Sequence, residues 1–340
     1  MTPGPVVVDI EGTTLTPADR ERLQHPRVGL VILFARNYES PQQLTELTHE
    51  IHALREPRLL IAVDHEGGRV QRFRDGFTAI PAMARLGALW DRDVLGACRV
   101  AMSAGYVMAA ELRAHGVDLT FAPVLDLEWG RSSVIGDRAL HADARTVAML
   151  ANHLCHGMAL AGMANCGKHF PGHGWPEADS HHAVPTDERS LDEILMHDAA
   201  PYRWMGAALA SVMPAHVVYR QVDPMPAGFS RRWIHDILRG QLGFTGAVFS
   251  DDLSMAGARV AGGVTDSAQA ALDAGCDFIL VCNDAGAASQ VLDRVQWKAT
   301  DAFASRAGRL VPIGPEPPLG ALHADARYRA ALADIGKLSA

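Results

Sequence analysis

Leu59-Leu-Ile-Ala-Val-Asp64 is an unbroken apolar run that ends on a carboxylate. A strand with one face in water alternates apolar and polar residues. A continuous run of this length instead suits a strand buried on both faces, as in a parallel sheet covered by helices. The same form recurs on either side. Upstream stand Val6-Val-Val-Asp9 and Gly29-Leu-Val-Ile-Leu-Phe34. Downstream follow Asp118-Leu-Thr-Phe-Ala-Pro-Val-Leu-Asp126, Ala164-Asn-Cys-Gly-Lys-His169, Ser211-Val-Met-Pro-Ala-His216, Gly246-Ala-Val-Phe-Ser-Asp251 and Cys276-Asp-Phe-Ile-Leu-Val-Cys-Asn283, which makes eight runs in all.

Helical patterns lie between them. In 98–115, Val100, Ala104, Met108 and Leu112 recur every fourth residue and predict one apolar stripe. Gly116, Gly162 and Gly275 each stand between such a pattern and the next run, as expected of a glycine that ends a helix and opens a loop into a strand. Strands alternating with helices read as βα repeats of an α/β fold. Eight repeats in 340 residues fit a (β/α)8 TIM barrel, which needs about 250 residues and tolerates insertions. The expectation is a single domain over 1–340, with 312–340, opening on the proline-rich 312–318, as a C-terminal tail packed on the barrel.

Asp9, Asp64, Asp126, Lys168, His169, His216, Asp251 and Asn283 all end their runs. Barrel active sites are built at that end of the strands, so these residues are expected around one pocket. Helix capping is an equal reading for Asp9, Asp126 and Asn283, because Asp and Asn are ordinary N-cap residues.

Composition narrows the class. Hydrophobic residues make up 48% of the chain and charged residues 21%, which suits a large packed core. A formal net charge of −8 argues against nucleic acid as a partner. The five cysteines are scattered, without a Cys-x-x-Cys pair, and read as buried thiols of a reducing compartment. Met1-Thr-Pro-Gly-Pro5 lacks the basic and apolar regions of a signal peptide, and no apolar stretch approaches the roughly 18 residues of a membrane span. A cytoplasmic protein with no membrane partner is expected.

Several segments carry groups able to do chemistry. Lys168-His-Phe-Pro-Gly-His-Gly174 leaves a strand and continues through Asp179-Ser-His-His-Ala-Val-Pro185. Long ordered loops at a barrel top are usually functional. His169 and His173 could ligate a metal with His181 or His182, but their spacing falls on a Pro-Gly loop rather than a helix face, and the first strand lacks a His-x-His pair. Alternatively, Asp179 and His181 can face one side of an extended loop. The carboxylate then holds one ring nitrogen and favours the imidazolium, leaving the other nitrogen to exchange a proton with substrate. A solvated histidine beside an aspartate is an equal reading from spacing alone. Asp251 and Asp252 are adjacent and alternate in direction along an extended strand, so Asp251 is the inward candidate and Asp252 a brace for the next element. Asp64-His-Glu-Gly-Gly-Arg-Val-Gln-Arg72 places a carboxylate before two glycines that let the backbone turn sharply, with Arg69 and Arg72 as donors. Arg138 and Lys168 add cationic donors to the same rim.

Taken together, Val63-Asp-His-Glu-Gly-Gly-Arg-Val-Gln-Arg72, Ile135-Gly-Asp-Arg138, Lys168-His-Phe-Pro-Gly-His-Gly174, Asp179-Ser-His181 and Phe249-Ser-Asp-Asp-Leu-Ser-Met255 resemble glycoside hydrolase family 3, in particular its single-domain bacterial β-N-acetylglucosaminidases of peptidoglycan recycling. The motifs run in register across most of the barrel. Departures are small: Ala247 replaces a bulkier apolar residue, and Arg138-Ala-Leu replaces a more common aromatic ending.

The resemblance implies roles. Asp251 corresponds to the nucleophile, His181 to the general acid/base and Asp179 to its partner, while Asp64, Arg72, Arg138, Lys168 and His169 match positions that bind the N-acetylglucosamine ring. His173 and His182 receive no such role. The implied enzyme is a retaining exo-β-N-acetylglucosaminidase that uses no cofactor, acts on N-acetylglucosaminyl-anhydro-N-acetylmuramic acid with or without its peptide, and works as a monomer. Two alternatives stay open: phosphorolysis on the same scaffold, since a neutral imidazole does not repel phosphate, and a metal-dependent barrel hydrolase.

Overall fold

In the computed structural model, which describes residues 3–177, 184–255, 257–258 and 262–338, the eight apolar runs form the eight strands of one sheet. These are β1 (Val6–Val8), β2 (Val28–Leu33), β3 (Leu60–Val63), β4 (Leu119–Thr120), β5 (Cys166–Phe170), β6 (Ser211–Pro214), β7 (Ala247–Asp252) and β8 (Phe278–Val281). Their spatial order is β4-β3-β2-β1-β8-β7-β6-β5, and every paired neighbour is parallel. Parallel bridges Leu119–Ala164 and Val124–Lys168 join the two ends of this order. The sheet is thus a nearly closed eight-stranded barrel ringed by helices, and the molecule is a single-domain (β/α)8 barrel.

β4 is shorter than its apolar run predicts. Pro123 has no N–H to give the ladder, so the regular strand stops at Thr120, and the chain beyond it is tied to β5 by bonds from the Cys166 N–H to the Ala122 carbonyl at 2.8 Å, the Lys168 N–H to the Pro123 carbonyl at 3.2 Å and the Leu125 N–H to the Lys168 carbonyl at 2.7 Å.

The core has two layers. Val7, Leu30, Ile32, Leu119, Phe121, Phe249 and Phe278 point into the barrel, with Phe121 against Phe249 and Phe249 stacked on Phe278. Alternate residues of the same strands, such as Val6, Val8, Val31 and Leu33, face the helices. Burial on both faces is what the unbroken runs express.

The helix Val94–Ala114 (α1) departs from its expected stripe. Tyr106, Val107, Ala109, Ala110, Glu111 and Arg113 are buried as well as Val100, Ala104 and Met108, so nearly the whole circumference is covered. The helix Ala144–Leu160 (α2) packs on one side, and the tail, folded as helices Leu319–Ala324 (α3) and Ala326–Gly336 (α4), packs on another. Buried Glu111 accepts hydrogen bonds from the Tyr328 hydroxyl at 2.5 Å and the Thr78 N–H at 2.9 Å, which ties the tail to the chain that follows β3. Among the described residues no helix is long and apolar enough to cross a membrane.

The two ends of the barrel differ. At the N-terminal end, the helix Asp301–Gly308 (α5) closes the opening with Phe303 against Phe278. The C-terminal end stays open.

Candidate active site

A cavity of about 540 Å³ opens at the C-terminal ends of the strands. Asp64, Arg72, Arg138, Lys168, His169 and Asp251, all named from the sequence as site residues, line this one cavity. Asp179 and His181 lie outside the described residues.

Asp64 follows β3 directly, and the chain then makes a short antiparallel hairpin of His65–Gly67 with Val70–Gln71. Gly67 and Gly68 turn it with φ of 102° and 57°. A side chain on Gly67 would also meet the Pro81 carbonyl at 2.7 Å, so only glycine fits. Extended backbone puts residues i and i+2 on one side. Asp64 and Glu66 therefore both reach Lys168, whose Nζ lies 2.7 Å from Asp64 Oδ1 and 2.6 Å from Glu66 Oε1. Arg138 grips Glu66 with Nε and Nη2, each at 2.8 Å, and Arg72 Nη2 stands 3.3 Å from Asp64 Oδ2.

Burial alone would raise both carboxyls. Lys168 with Arg72 overcomes it at Asp64, and Arg138 with Lys168 overcomes it at Glu66, which is held well below the usual carboxylate range. Burial likewise opposes the charge of Lys168, but Asp64 and Glu66 raise its pKa. The result is a wall of ionised groups, fixed by one another, whose remaining hydrogen-bonding capacity faces the cavity.

His169 is oriented from behind. Its Nδ1–H donates to Asp126 Oδ2 at 2.7 Å, while Asp126 Oδ1 accepts the backbone N–H groups of His169 at 3.2 Å and His173 at 2.7 Å. Asp126 is thus an organiser of the 169–173 turn rather than a helix cap. Its own pKa is lowered, since His169 and His173 outweigh the burial penalty. Among the described residues no cluster has the geometry of a metal site.

Asp251 and Asp252 end β7, and both touch the cavity. They are occupied differently. Asp252 accepts from the Ser254 N–H at 3.0 Å, the Ser254 hydroxyl at 2.7 Å, the Cys282 N–H at 3.3 Å and the Asn283 side-chain amide at 3.3 Å. It braces the loop after β7 against the end of β8. Asp251 accepts the N–H of Asp252 at 2.8 Å. Burial would raise its pKa, but its polar surroundings, that N–H and Lys168 among them, lower it, so it is a carboxylate at neutral pH. Burial and the adjacent Asp251 charge push Asp252 up to about 6.

Asp9 and Asn283 belong to the rim. Asp9 accepts from the Arg36 guanidinium and from the Asn283 N–H at 2.8 Å. Arg69 reaches across to the carbonyls of Ser133 and Val134 and holds the segment that carries Arg138.

The chain matches the glycosyl hydrolase family 3 N-terminal domain over residues 7–310. The chain belongs to glycosyl hydrolase family 3. A curated β-hexosaminidase of Bordetella avium is 61% identical over 329 residues, covering 96% of this chain and 93% of the other. One from Thiobacillus denitrificans is 56% identical over 99% of this chain and 95% of its own length. The crystal structure of native NagZ from Neisseria gonorrhoeae superposes with a TM-score of 0.95 at 46% identity, over 100% of this chain and 99% of that one. This family 3 protein is accordingly a glycoside hydrolase of the β-hexosaminidase class. A further structure of the Neisseria protein was solved in complex with N-trifluoroacetyl-D-glucosamine.

Sequence reasoning overlooked Glu66. The signal was present, because Glu66 stands two residues after Asp64 in an extended segment and so shares its side.

Proposed function

We propose that this family 3 enzyme is a retaining exo-β-N-acetylglucosaminidase with Asp251 as its nucleophile. The observation that carries the reading is the contrast within the cavity. Asp64 and Glu66 are engaged by cations and Asp252 is bound by four donors, whereas Asp251 is an ionised carboxylate that accepts the Asp252 N–H and that no cation contacts within ion-pair distance among the described residues. The N-acylglucosamine bound by the Neisseria relative supports the choice of sugar.

In this reading Asp64, Arg72, Arg138, Lys168 and His169 hold the hydroxyls and N-acetyl group of a non-reducing terminal N-acetylglucosamine. A carboxylate oxygen of Asp251 forms a bond to the anomeric carbon as the glycosidic C–O bond breaks, and its electrons leave with the oxygen of the departing sugar. His181, held by Asp179, protonates that oxygen and then removes a proton from the water that hydrolyses the glycosyl-aspartate. Two displacements retain configuration. The roles of His181 and Asp179 rest on their motif. We assign as substrate N-acetylglucosaminyl-anhydro-N-acetylmuramic acid, with or without its peptide, in peptidoglycan recycling.

Turnover of a chromogenic β-N-acetylglucosaminide beside the matching β-glucoside tests the reading, with product anomers followed by NMR. The expected result is strong preference for the N-acetylated sugar and β-anomer released first. Equal turnover of both, or initial α-anomer, contradicts it. Repeating the assay in phosphate buffer checks the acceptor, since sugar 1-phosphate in place of free sugar would make the enzyme a phosphorylase.

A further inference from the structure

His216 follows β6 and is fully buried beside the end of β7. Its Nε2 lies 3.2 Å from the backbone carbonyl oxygen of Asp252. A carbonyl only accepts, so the ring carries its hydrogen on Nε2 and donates it there. The N–H of the same residue, Asp252, donates to Asp251 Oδ1 at 2.8 Å. The backbone at Asp252 is therefore held on both sides, by Asp251 through its N–H and by His216 through its carbonyl.

The imidazole has little freedom to leave. It stacks on Phe229 with centroids 5.3 Å apart and planes 9° from parallel. The backbone of Gly228 lies beside the ring, where even a Cβ would make only ordinary contact with Nδ1 at 3.7 Å. Burial keeps the ring neutral in spite of the neighbouring Asp251 charge, lowering its pKa below the usual histidine value. His216 is not part of the cavity lining.

We propose that His216 is a positioning residue for the nucleophile. By clamping the Asp252 carbonyl it fixes the end of β7 and, through the Asp252 N–H, the direction of the Asp251 carboxylate. The other Asp251 oxygen is thereby aimed into the cavity. A neutral donor suits this position, because an imidazolium there would draw charge from the carboxylate and weaken it as a nucleophile. The clamp also works equally in the free enzyme and in the glycosyl-enzyme, where Asp251 is an uncharged ester. This inference rests on Asp251 being the nucleophile.

The test compares His216→Phe, which keeps a ring but lacks the donor, with His216→Gln, which restores an amide N–H. For a chromogenic N-acetylglucosaminide, the Phe variant should lose about tenfold or more in kcat with KM little changed, and labelling of the enzyme by a 5-fluoro-N-acetylglucosaminyl fluoride should slow by the same factor. The Gln variant should recover most of both rates. A Phe variant with parental kcat and labelling overturns the proposal, as does a rise in KM with kcat retained. Equal losses in both variants at parental melting temperature also overturn it. If the Phe variant does not fold, the Gln variant decides: near-parental labelling supports the clamp, and labelling slowed tenfold overturns it. Mapping the label in the parent enzyme reads the nucleophile separately. An adduct away from Asp251 overturns both assignments, whereas an adduct on Asp251 with unchanged variant rates overturns only the role of His216.

Discussion

The barrel carries a buried ionic cluster at each end, and the two are built differently. At the closed end Asp277, just before β8, takes Arg239 Nη2 at 2.9 Å, Arg306 Nη2 at 2.6 Å and Nε at 3.0 Å, and the Val248 N–H at 2.9 Å. Its oxygens are surrounded by donors of the protein itself, and α5 covers the cluster. At the open end Asp64, Glu66, Lys168 and Arg138 are paired just as closely, but around a cavity, and Asp251 beside them is left without a cation at ion-pair distance among the described residues. Both ends meet the cost of burying charge by pairing it. What separates a structural cluster from a candidate active site is that some of its polar capacity is held in place and left for a ligand.

The largest effect should come from the residue that completes the contrast. Asp251→Asn should lower kcat by about four orders of magnitude, the scale seen when a group acting in the chemical step is removed, while leaving thermal stability at or above that of the parent. Steady-state kinetics beside a thermal melt would check this. A variant that loses stability as well would put Asp251 in the same class as Asp277.

At the closed end the balance is reversed. Asp277→Ala strands Arg239 and Arg306 and should cost about 3–5 kcal/mol of stability, with KM and kcat of the folded fraction unchanged. Denaturant unfolding together with kinetics at low temperature would show it. Glu66→Gln, its counterpart above, should lose stability and raise KM together, since it unbalances Lys168 and Arg138 at the cavity wall. Loss of stability alone in Glu66→Gln would dissolve the distinction between the two ends.

The smallest effect concerns pH. The folded protein holds the Asp252 carboxyl at about 6 against an ordinary 3.8. A raised folded pKa means that this group's contribution to stability is full below the ordinary value and is lost as pH rises through about 6. Asp252→Asn should flatten that part of the profile, so its melting temperature relative to the parent improves between acid and neutral pH. A parallel offset at all pH values would show that Asp252 is not protonated in the fold. Asp64 and Glu66 act in the opposite sense, since their pKa values are lowered and their contribution is lost only as pH falls below the carboxylate range.

Much of this was legible in the chain. Strands buried on both faces announce themselves as apolar runs, and their polar last residues mark the open end, which is how Asp64, Lys168, His169 and Asp251 could be named before any geometry. β4 is shorter than its run because Pro123 cannot donate to the ladder, although the carbonyls of Ala122 and Pro123 still accept from β5. The stripe read into α1 was too narrow because burial there depends on α2 and α4, distant in sequence. Capping and function read equally well at Asp126 for the same reason: its partners, the N–H groups of His169 and His173, come together only when β5 packs beside the chain after β4. His216 ended an apolar run too, but its bond to the Asp252 carbonyl joins two neighbouring strand ends and leaves no local pattern.

Which atom of the enzyme takes the sugar decides the mechanism. Incubation with a 5-fluoro-N-acetylglucosaminyl fluoride, followed by proteolysis and mass spectrometry, reads it directly. With Asp251 as nucleophile, one N-acetylglucosamine-derived adduct is expected on the peptide containing Asp251, absent in Asp251→Asn. An adduct on Asp64, Glu66 or Asp252, or one that persists in the variant, would contradict that role.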